Sequence, residues 1–285
     1  MIQGEYGSAK AGEEKFGLQV IAMGNNNFDA YVLEGGLPGA GWTKGKGRFL
    51  VKGSINSDAN TLNGKDGYSV KIKDMTATIS KGDKELATLK RIERESPTLN
   101  AKAPEDADIL FDGKNVDEWL NGKMENGLLI HGTTSKKKYH SYKLHLEFMT
   151  PYKPHARGQK RGNSGVYHQA RYETQVLDSF ALNGRWNETG GIYGIAPPIV
   201  NACLPPLRWQ TYDVELTSAV YEDGKKVKNA RITVKLNGIL VQDNTDLKKA
   251  TQASKLKEGP EPGPIYLQNH GNPVFYRNIW IVPVK

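Results

Sequence analysis

The chain has 285 residues, 38% of them hydrophobic and 25% charged, and a formal net charge of +8. Those proportions exclude a disordered chain, a collagen-like fibre and a bundle of membrane-spanning helices. The 31 Gly and 14 Pro suit a turn-rich β protein, and the length allows one large β domain or two smaller ones.

The opening, MIQGEYGSAKAGEEK, is polar and lacks the apolar core of a secretory leader. A mature exported protein, trimmed of its leader, reads the same way. Short apolar stretches broken by glycine follow: LQVIAM, DAYVLEGG, GRFLVKGS, GYSVKIKD, ATISKG and ELATLKRI. Several alternate with period two, as half-buried strands do. Turns are predicted at GNNN (24–27), LPG (37–39) and NGK (63–65). Residues 1–95 therefore read as a small all-β module. SPTLNAKAPEDA (96–107), rich in Pro, Ala and charge, reads as a linker.

Residues 108–285 carry seven further strand-like stretches: KLHLEFMT, GVYHQA, YETQVLDS, TYDVELTSAV, ARITVKLNG, IYLQNHG and VFYRNIWIVPV. Alternation and β-branched or aromatic enrichment mark most of them. DG (223–224) and NG (237–238) predict hairpin turns between 211–221, 230–236 and 239–242. NTDLKKATQASKLK (244–257) is at best a short helix. Many short strands in one domain predict a β-sandwich or jelly roll. No internal repeat links the two parts, and no apolar run approaches the ~18 residues of a membrane span. Cys203 is the only cysteine, which rules out an intrachain disulfide. In its apolar stretch it reads as a buried small hydrophobe.

The charge surplus is concentrated. Residues 136–171 hold nine Lys and Arg against one acid, Glu147, so this segment carries +8 and the rest sums to zero. The segment also holds His140, His145, His155 and His168. A nucleic-acid contact driven by charge must sit here. The segment lacks a helical recognition pattern and a regular aromatic platform, and KKK at 136–138 reads as a solvated turn.

The densest group of functional side chains lies in NSGVYHQARYETQVLD (163–178). Alternation puts Glu173 and Gln175 on one face of a strand and Val176 on the other. On the neighbouring strand Tyr167 and Gln169 share one face, and Val166, His168 and Ala170 the other. A β-bulge before Asp178 would turn it to the face of Glu173, giving a carboxyl pair on the scale of roughly 5–9 Å used by glycoside-cleaving enzymes. The plain alternative for each carboxylate is a solvent-facing strand residue or a turn former.

Here the motifs reach a resemblance. NSG, YETQVLD, GGIYG (190–194), WQTYD (209–213), KLNG (235–238), YLQNHG (266–271) and YRNIW (276–280) follow ILFDGK (109–114) in order and spacing. Together they resemble the 3-keto-disaccharide hydrolase domain family over nearly all of 108–285. The N-terminal part looks like a small module that precedes this domain in some members. The resemblance implies a concanavalin A-like jelly roll of two antiparallel sheets, acting on 3-keto-glycosides. It also implies export to the periplasm or outside the cell. A ketone at C3 acidifies the C2 proton, so a base, an acid and a donor to the enolate oxygen are needed. Glu173-x-Gln175-x-x-Asp178 is also similar to the Glu-x-Asp-x-x-Glu strand of laminarinase-type glycoside hydrolases. Gln replaces the middle acid here, and the shorter Asp ends the motif.

On this basis the candidate catalytic residues are Glu173, Asp178, His168 and His270. Asn163, Tyr167, Gln175, Tyr193, Trp209, Gln268 and Arg277 are candidates for substrate binding. For His168 a packed strand histidine is the competing reading; for Arg277 it is an ion pair to Glu173 or Asp178; for Trp209 it is a core residue. No cofactor is certain, and a divalent metal ion held by His168, Glu173, Asp178 and His270 stays open, although no metal-ligand spacing supports it. The expected partner is an oligosaccharide or 3-keto-glycoside, with no nucleic acid and no membrane span. A lectin-like binding module and an ordinary β-glucanase are the alternatives.

Overall fold

The computed structural model describes residues 2–56 and 60–284. Among these the chain is all-β, with one 3₁₀ turn at Gly158–Lys160 and no α-helix. It divides into two units, Met1–Arg94 with Pro154–Ala156, and Glu95–Lys153 with Arg157–Lys285.

The first unit is a closed barrel. Its strands are Gly4–Tyr6, Phe16–Gly24, Asn27–Glu34, Arg48–Ser54, Thr61–Asn63, Tyr68–Lys73, Thr76–Lys81 and Lys84–Ile92. Alternation fills the interior with Leu18, Val20, Val32, Val51, Val70, Ile79 and Leu89, all fully buried. Asn25 and Asn26 take positive φ in the tight turn between the second and third strands, as a primed hairpin turn requires. One polar group is buried with its partners. Arg94 Nε and Nη2 donate to Glu5 Oε2 and Oε1 at 2.7 and 2.6 Å, and Gln19 Nε2 donates to Glu5 Oε1 at 2.9 Å.

The second unit is a sandwich of an eight-stranded and a five-stranded antiparallel sheet. The strands Tyr142–Met149, Trp209–Thr217, Ala230–Leu236 and Phe275–Pro283 form the middle of the larger sheet. The smaller sheet contains Thr133–Tyr139, Gly263–Leu267, Ser164–His168 and Tyr172–Val176, with Tyr172–Val176 at its edge. Leu144, Leu146, Phe148, Val214 and Ile281 of one sheet pack against Val166, Tyr172, Val176, Ile265 and Leu267 of the other. The jelly-roll sandwich implied by the motifs is therefore present.

Some local expectations are revised. Asp223 and Gly224 do form a primed turn, but it joins Val220–Glu222 to Lys225–Lys228 in a separate ribbon. Trp209–Thr217 pairs directly with Ala230–Leu236. The NG turn at 237–238 is where it was expected, with φ of 53° and 76°. No helix forms in 244–257, because Ile239–Leu247 extends as a strand and an irregular segment follows. Lys136, Lys137 and Lys138 are exposed on the strand Thr133–Tyr139 and are not in a turn.

Residues 96–107 are irregular in backbone but lie against the outer face of the larger sheet. Thr98 Oγ1 donates to Asp213 Oδ2 at 2.6 Å, and Asn100 N donates to Glu147 Oε1 at 2.5 Å. Asn278 Nδ2 donates to the Ala101 carbonyl at 3.0 Å.

Candidate functional site

The hairpin Ser164–His168/Tyr172–Val176 builds the site. Gln169 and Ala170, both at φ 53°, make its turn, and the register sets Tyr167 opposite Glu173 and Gly165 opposite Gln175. Alternation then does the rest. Val166, Tyr172 and Val176 point into the core, whereas Tyr167, Glu173 and Gln175 line a cavity of about 140 Å³ on the opposite face. Gln159, Asn163, Tyr193, Gln252, Ala253, Gln268 and His270 complete the wall. The motif YLQNHG contributes because the strand ends at Leu267, which frees Gln268 and His270 to turn toward the cavity.

Glu173 is the only carboxylate among the lining residues, and no Lys or Arg joins it. It is 2% exposed. Burial pushes its pKa up to about 8, against the opposing pull of the Tyr167 hydrogen bond. Tyr167 Oη lies 2.9 Å from Glu173 Oε2 and 3.0 Å from the Gln252 carbonyl, and Gln268 Nε2 donates to it at 3.2 Å. The phenol has one proton. A protonated Glu173 donates to Tyr167, which can then donate to Gln252, so every contact is satisfied. An ionised Glu173 takes the phenol proton and leaves the Gln252 carbonyl without it. Gly165 makes the room: a Cβ there would stand 2.2 Å from Glu173 Oε1.

The amides form a second set. Gln159 Oε1 accepts from Asn163 Nδ2 at 3.0 Å and from Gln175 Nε2 at 3.2 Å. Asn163 Oδ1, Gln175 Oε1 and Gln268 Oε1 are then buried without a hydrogen-bond partner. Three residues that line one cavity thus each carry an acceptor without a partner, which suits a ligand rich in donors such as hydroxyl groups.

Two loops close the edge strand. Gln175 N donates to the Gly191 carbonyl at 2.9 Å and Tyr193 N to the Glu173 carbonyl at 3.1 Å, so GGIYG pairs along the strand and delivers Tyr193. Glu173 N donates to Thr251 Oγ1 at 2.9 Å, and Thr251 N to the Arg171 carbonyl at 2.9 Å, which brings Gln252 over the carboxyl.

Four predicted site residues lie elsewhere. His168 is on the core face, between Tyr142 Oη and Thr174 Oγ1 at 3.0 Å each, and burial lowers its pKa to about 3. It is a neutral packed histidine. Asp178 follows the strand end without lining the cavity; its Oδ2 accepts from Arg161 Nε at 2.7 Å. Burial raises its pKa, and Arg161 opposes that shift. Arg277 belongs to the larger sheet, where its Nε donates to Glu147 Oε2 at 2.7 Å and its guanidinium stands 4.0 Å over the Trp209 ring. Trp209 and Arg277 thus hold each other outside the cavity. The ion pair expected for Arg277 exists, but with Glu147. The metal set is not assembled, since His168 is packed between Tyr142 and Thr174 and Asp178, paired with Arg161, does not line the cavity with Glu173 and His270. Among the described residues no group of three His, Cys, Asp or Glu is placed to hold a metal ion.

Sequence reading missed Gln159, in the 3₁₀ turn just before Asn163, and Gln252 and Ala253, which reach the cavity from a distant loop. It also missed a charged group on the outer face of the larger sheet. There His145 Nδ1 lies 2.6 Å from Asp213 Oδ1, and its ring stacks on Trp280 at 5.0 Å. Burial pushes Glu147 upward, but hydrogen bonds from His145, Asn278, Arg277 and the Asn100 amide outweigh it and hold its pKa to about 2. Burial likewise lowers His145, and Asp213 and Glu147 more than reverse this.

Comparison with known proteins adds three findings. Residues 106–282 match the family model of the 3-keto-alpha-glucoside-1,2-lyase-like domain. A provisionally named glycosyl hydrolase from Parabacteroides distasonis ATCC 8503 is 31% identical, with a TM-score of 0.59 over 64% of this chain and 85% of that one. A second such structure from the same organism is 20% identical, with a TM-score of 0.45 over 64% and 95%. No curated protein matches the sequence.

Proposed function

The chain belongs to the 3-keto-alpha-glucoside-1,2-lyase-like domain family, and from that premise we propose that its cavity cleaves the glycosidic bond of 3-keto-glycosides. The observation that carries the reading is Glu173, a buried carboxyl with a pKa near 8 on a cavity lined by hydroxyl acceptors. A group poised close to neutrality is suited to proton transfer.

In this reading His270 removes the C2 proton, whose electrons delocalise onto the C3 ketone oxygen. Tyr193 donates a hydrogen bond to that oxygen. Collapse of the enolate restores the C3 carbonyl, forms the C1–C2 double bond and breaks the C1–O bond. Glu173, protonated at neutral pH, gives its proton to the departing oxygen. Addition of water across the C1–C2 bond makes the net outcome hydrolysis. The acceptors Asn163, Gln175 and Gln268 hold sugar hydroxyls. An ordinary retaining glucanase needs two carboxyls across the scissile bond, and Asp178 is tied to Arg161 instead. Export is part of this reading; among the described residues no helix is long and apolar enough to cross a membrane.

The test is turnover of a panel of 3-keto-disaccharides and their unoxidised parents. Cleavage of the oxidised set is expected, with kcat/KM falling as pH rises through about 8, where Glu173 loses its proton. Glu173→Gln should lower kcat by roughly 10²–10⁴-fold. Cleavage of the unoxidised set alone would overturn the reading.

A further inference from the structure

We propose that Trp186 and Tyr193 form a binding platform for the leaving group of the glycoside, and that the platform takes a flat apolar face. The inference rests on the reading of the cavity as a glycoside site. The cavity holds about 140 Å³, whereas sites that enclose a whole drug-sized ligand run to roughly 300–1,000 Å³. It therefore suits one sugar ring, and the rest of the substrate must lie beyond its wall.

Trp186 stands there. It is 42% exposed, which is unusual for so large an apolar side chain. Its ring meets that of Tyr193 edge to face, 4.9 Å apart at 89°. Tyr193 lines the cavity, so the pair carries an aromatic surface from the cavity wall outward.

The loop that presents Trp186 is fixed on both sides. Glu188 Oε2 accepts from the amides of Gly184 and Arg185 at 2.6 and 3.0 Å, and Glu188 N donates to the Arg185 carbonyl at 3.0 Å. The Asn187 carbonyl accepts from Gln159 Nε2, a cavity residue, at 2.8 Å. Gly191 permits the close approach, since a Cβ there would lie 2.5 Å from the Trp186 carbonyl. An exposed indole on a loop already in place loses little freedom on binding. Its face matches the C–H face of a second pyranose or an aromatic aglycone.

The experiment compares wild type, Trp186→Ala and Trp186→Phe on three 3-keto-glucosides differing only in leaving group: methanol, a second glucose and a phenol. Trp186→Ala should lower kcat/KM roughly 3- to 10-fold for the glucose or phenol leaving groups and leave the methyl glycoside unchanged. Trp186→Phe should restore most of the loss. A loss confined to one of the two large groups identifies which flat face the platform prefers. An equal loss on all three, or none, overturns the proposal. If the wild type turns over no substrate, the functional reading fails, and calorimetry with phenyl glucoside and a glucose disaccharide decides the platform separately. Binding weakened by Trp186→Ala supports it; unchanged or absent binding overturns it.

Discussion

Glu173 and His168 sit on opposite faces of one hairpin, and burial shifts them in opposite senses along the pH axis. An acid whose pKa is raised to about 8 in the native state holds its proton where the unfolded chain has lost it. Its contribution to stability is therefore lost as pH rises from its ordinary value, near 4.5, to about 8. A histidine lowered to about 3 stays neutral where the unfolded chain is charged, so stability is lost as pH falls from 6.5 to about 3. Replacing Glu173 by its neutral isostere removes the first loss. Glu173→Gln is expected to melt higher than wild type at pH 8, by a stability on the order of 4 kcal/mol, and the gap should close near pH 4.5. Melting curves across that range check it; a Gln variant less stable at pH 8 would show that the carboxyl is not held protonated. Period-two alternation made this hairpin legible: Tyr167, Glu173 and Gln175 share the face it gives them, and His168 takes the other. At Asp178 alternation alone gives the opposite face, and the bulge invoked to turn it does not form: the strand ends at Val176 without a register shift, and Arg161 pairs with the carboxylate.

At the scale of elements, the segment 96–107 is the instructive case. Its composition reads as a linker, and nothing local to it announces otherwise. What secures it is a group of distant side chains, His145, Glu147, Asp213, Arg277 and Asn278, brought onto one face of the larger sheet by strand pairing. Glu147 is 0% exposed and receives hydrogen bonds from three residues on two segments, Asn100 on one and Arg277 and Asn278 on the other. Removing it leaves Arg277 without its carboxylate and His145 with Asp213 alone. Glu147→Ala is expected to cost about 3–5 kcal/mol and to make 96–107 the first site of proteolytic cleavage. Denaturant unfolding and mass mapping of the first cut would show this; a variant of native stability with no cut there would contradict it. The cavity loops show the same limit. Gln159 and Gln252 come from segments without strand periodicity, so only the folded chain reveals that they meet Glu173.

At the scale of the whole molecule, the charge surplus becomes a matter of pairing. Arg161 is buried with Asp178, Lys137 meets Asp108 at 2.5 Å, and Lys143 lies 3.6 Å from Glu215. Arg171 Nε donates to the Lys257 carbonyl, and Lys153 Nζ to Asn272 Oδ1. The bases that look like one patch in the sequence are partly neutralised by acids from other segments or tied to backbone and amide oxygens. Duplex and single-stranded DNA should accordingly show no mobility shift with micromolar protein at physiological salt; a shift that weakens steeply with added salt would restore a nucleic-acid reading. The fold class was readable from alternation and turn residues alone, because both are local. The division of labour between two sheet faces was not, since it depends on which strands become neighbours.

The closed ring of the N-terminal barrel bears on what that unit can recruit. An open sheet can accept an incoming peptide as one more strand, through its unpaired amides and carbonyls. Among the described residues the ring's first strand pairs with both the second and the last, so neither terminal strand is left as a free edge. Strand addition at the chain's first or last strand is thereby closed to this unit, and side chains such as Tyr31 and Arg48, stacked at 3.3 Å, are what its wall presents.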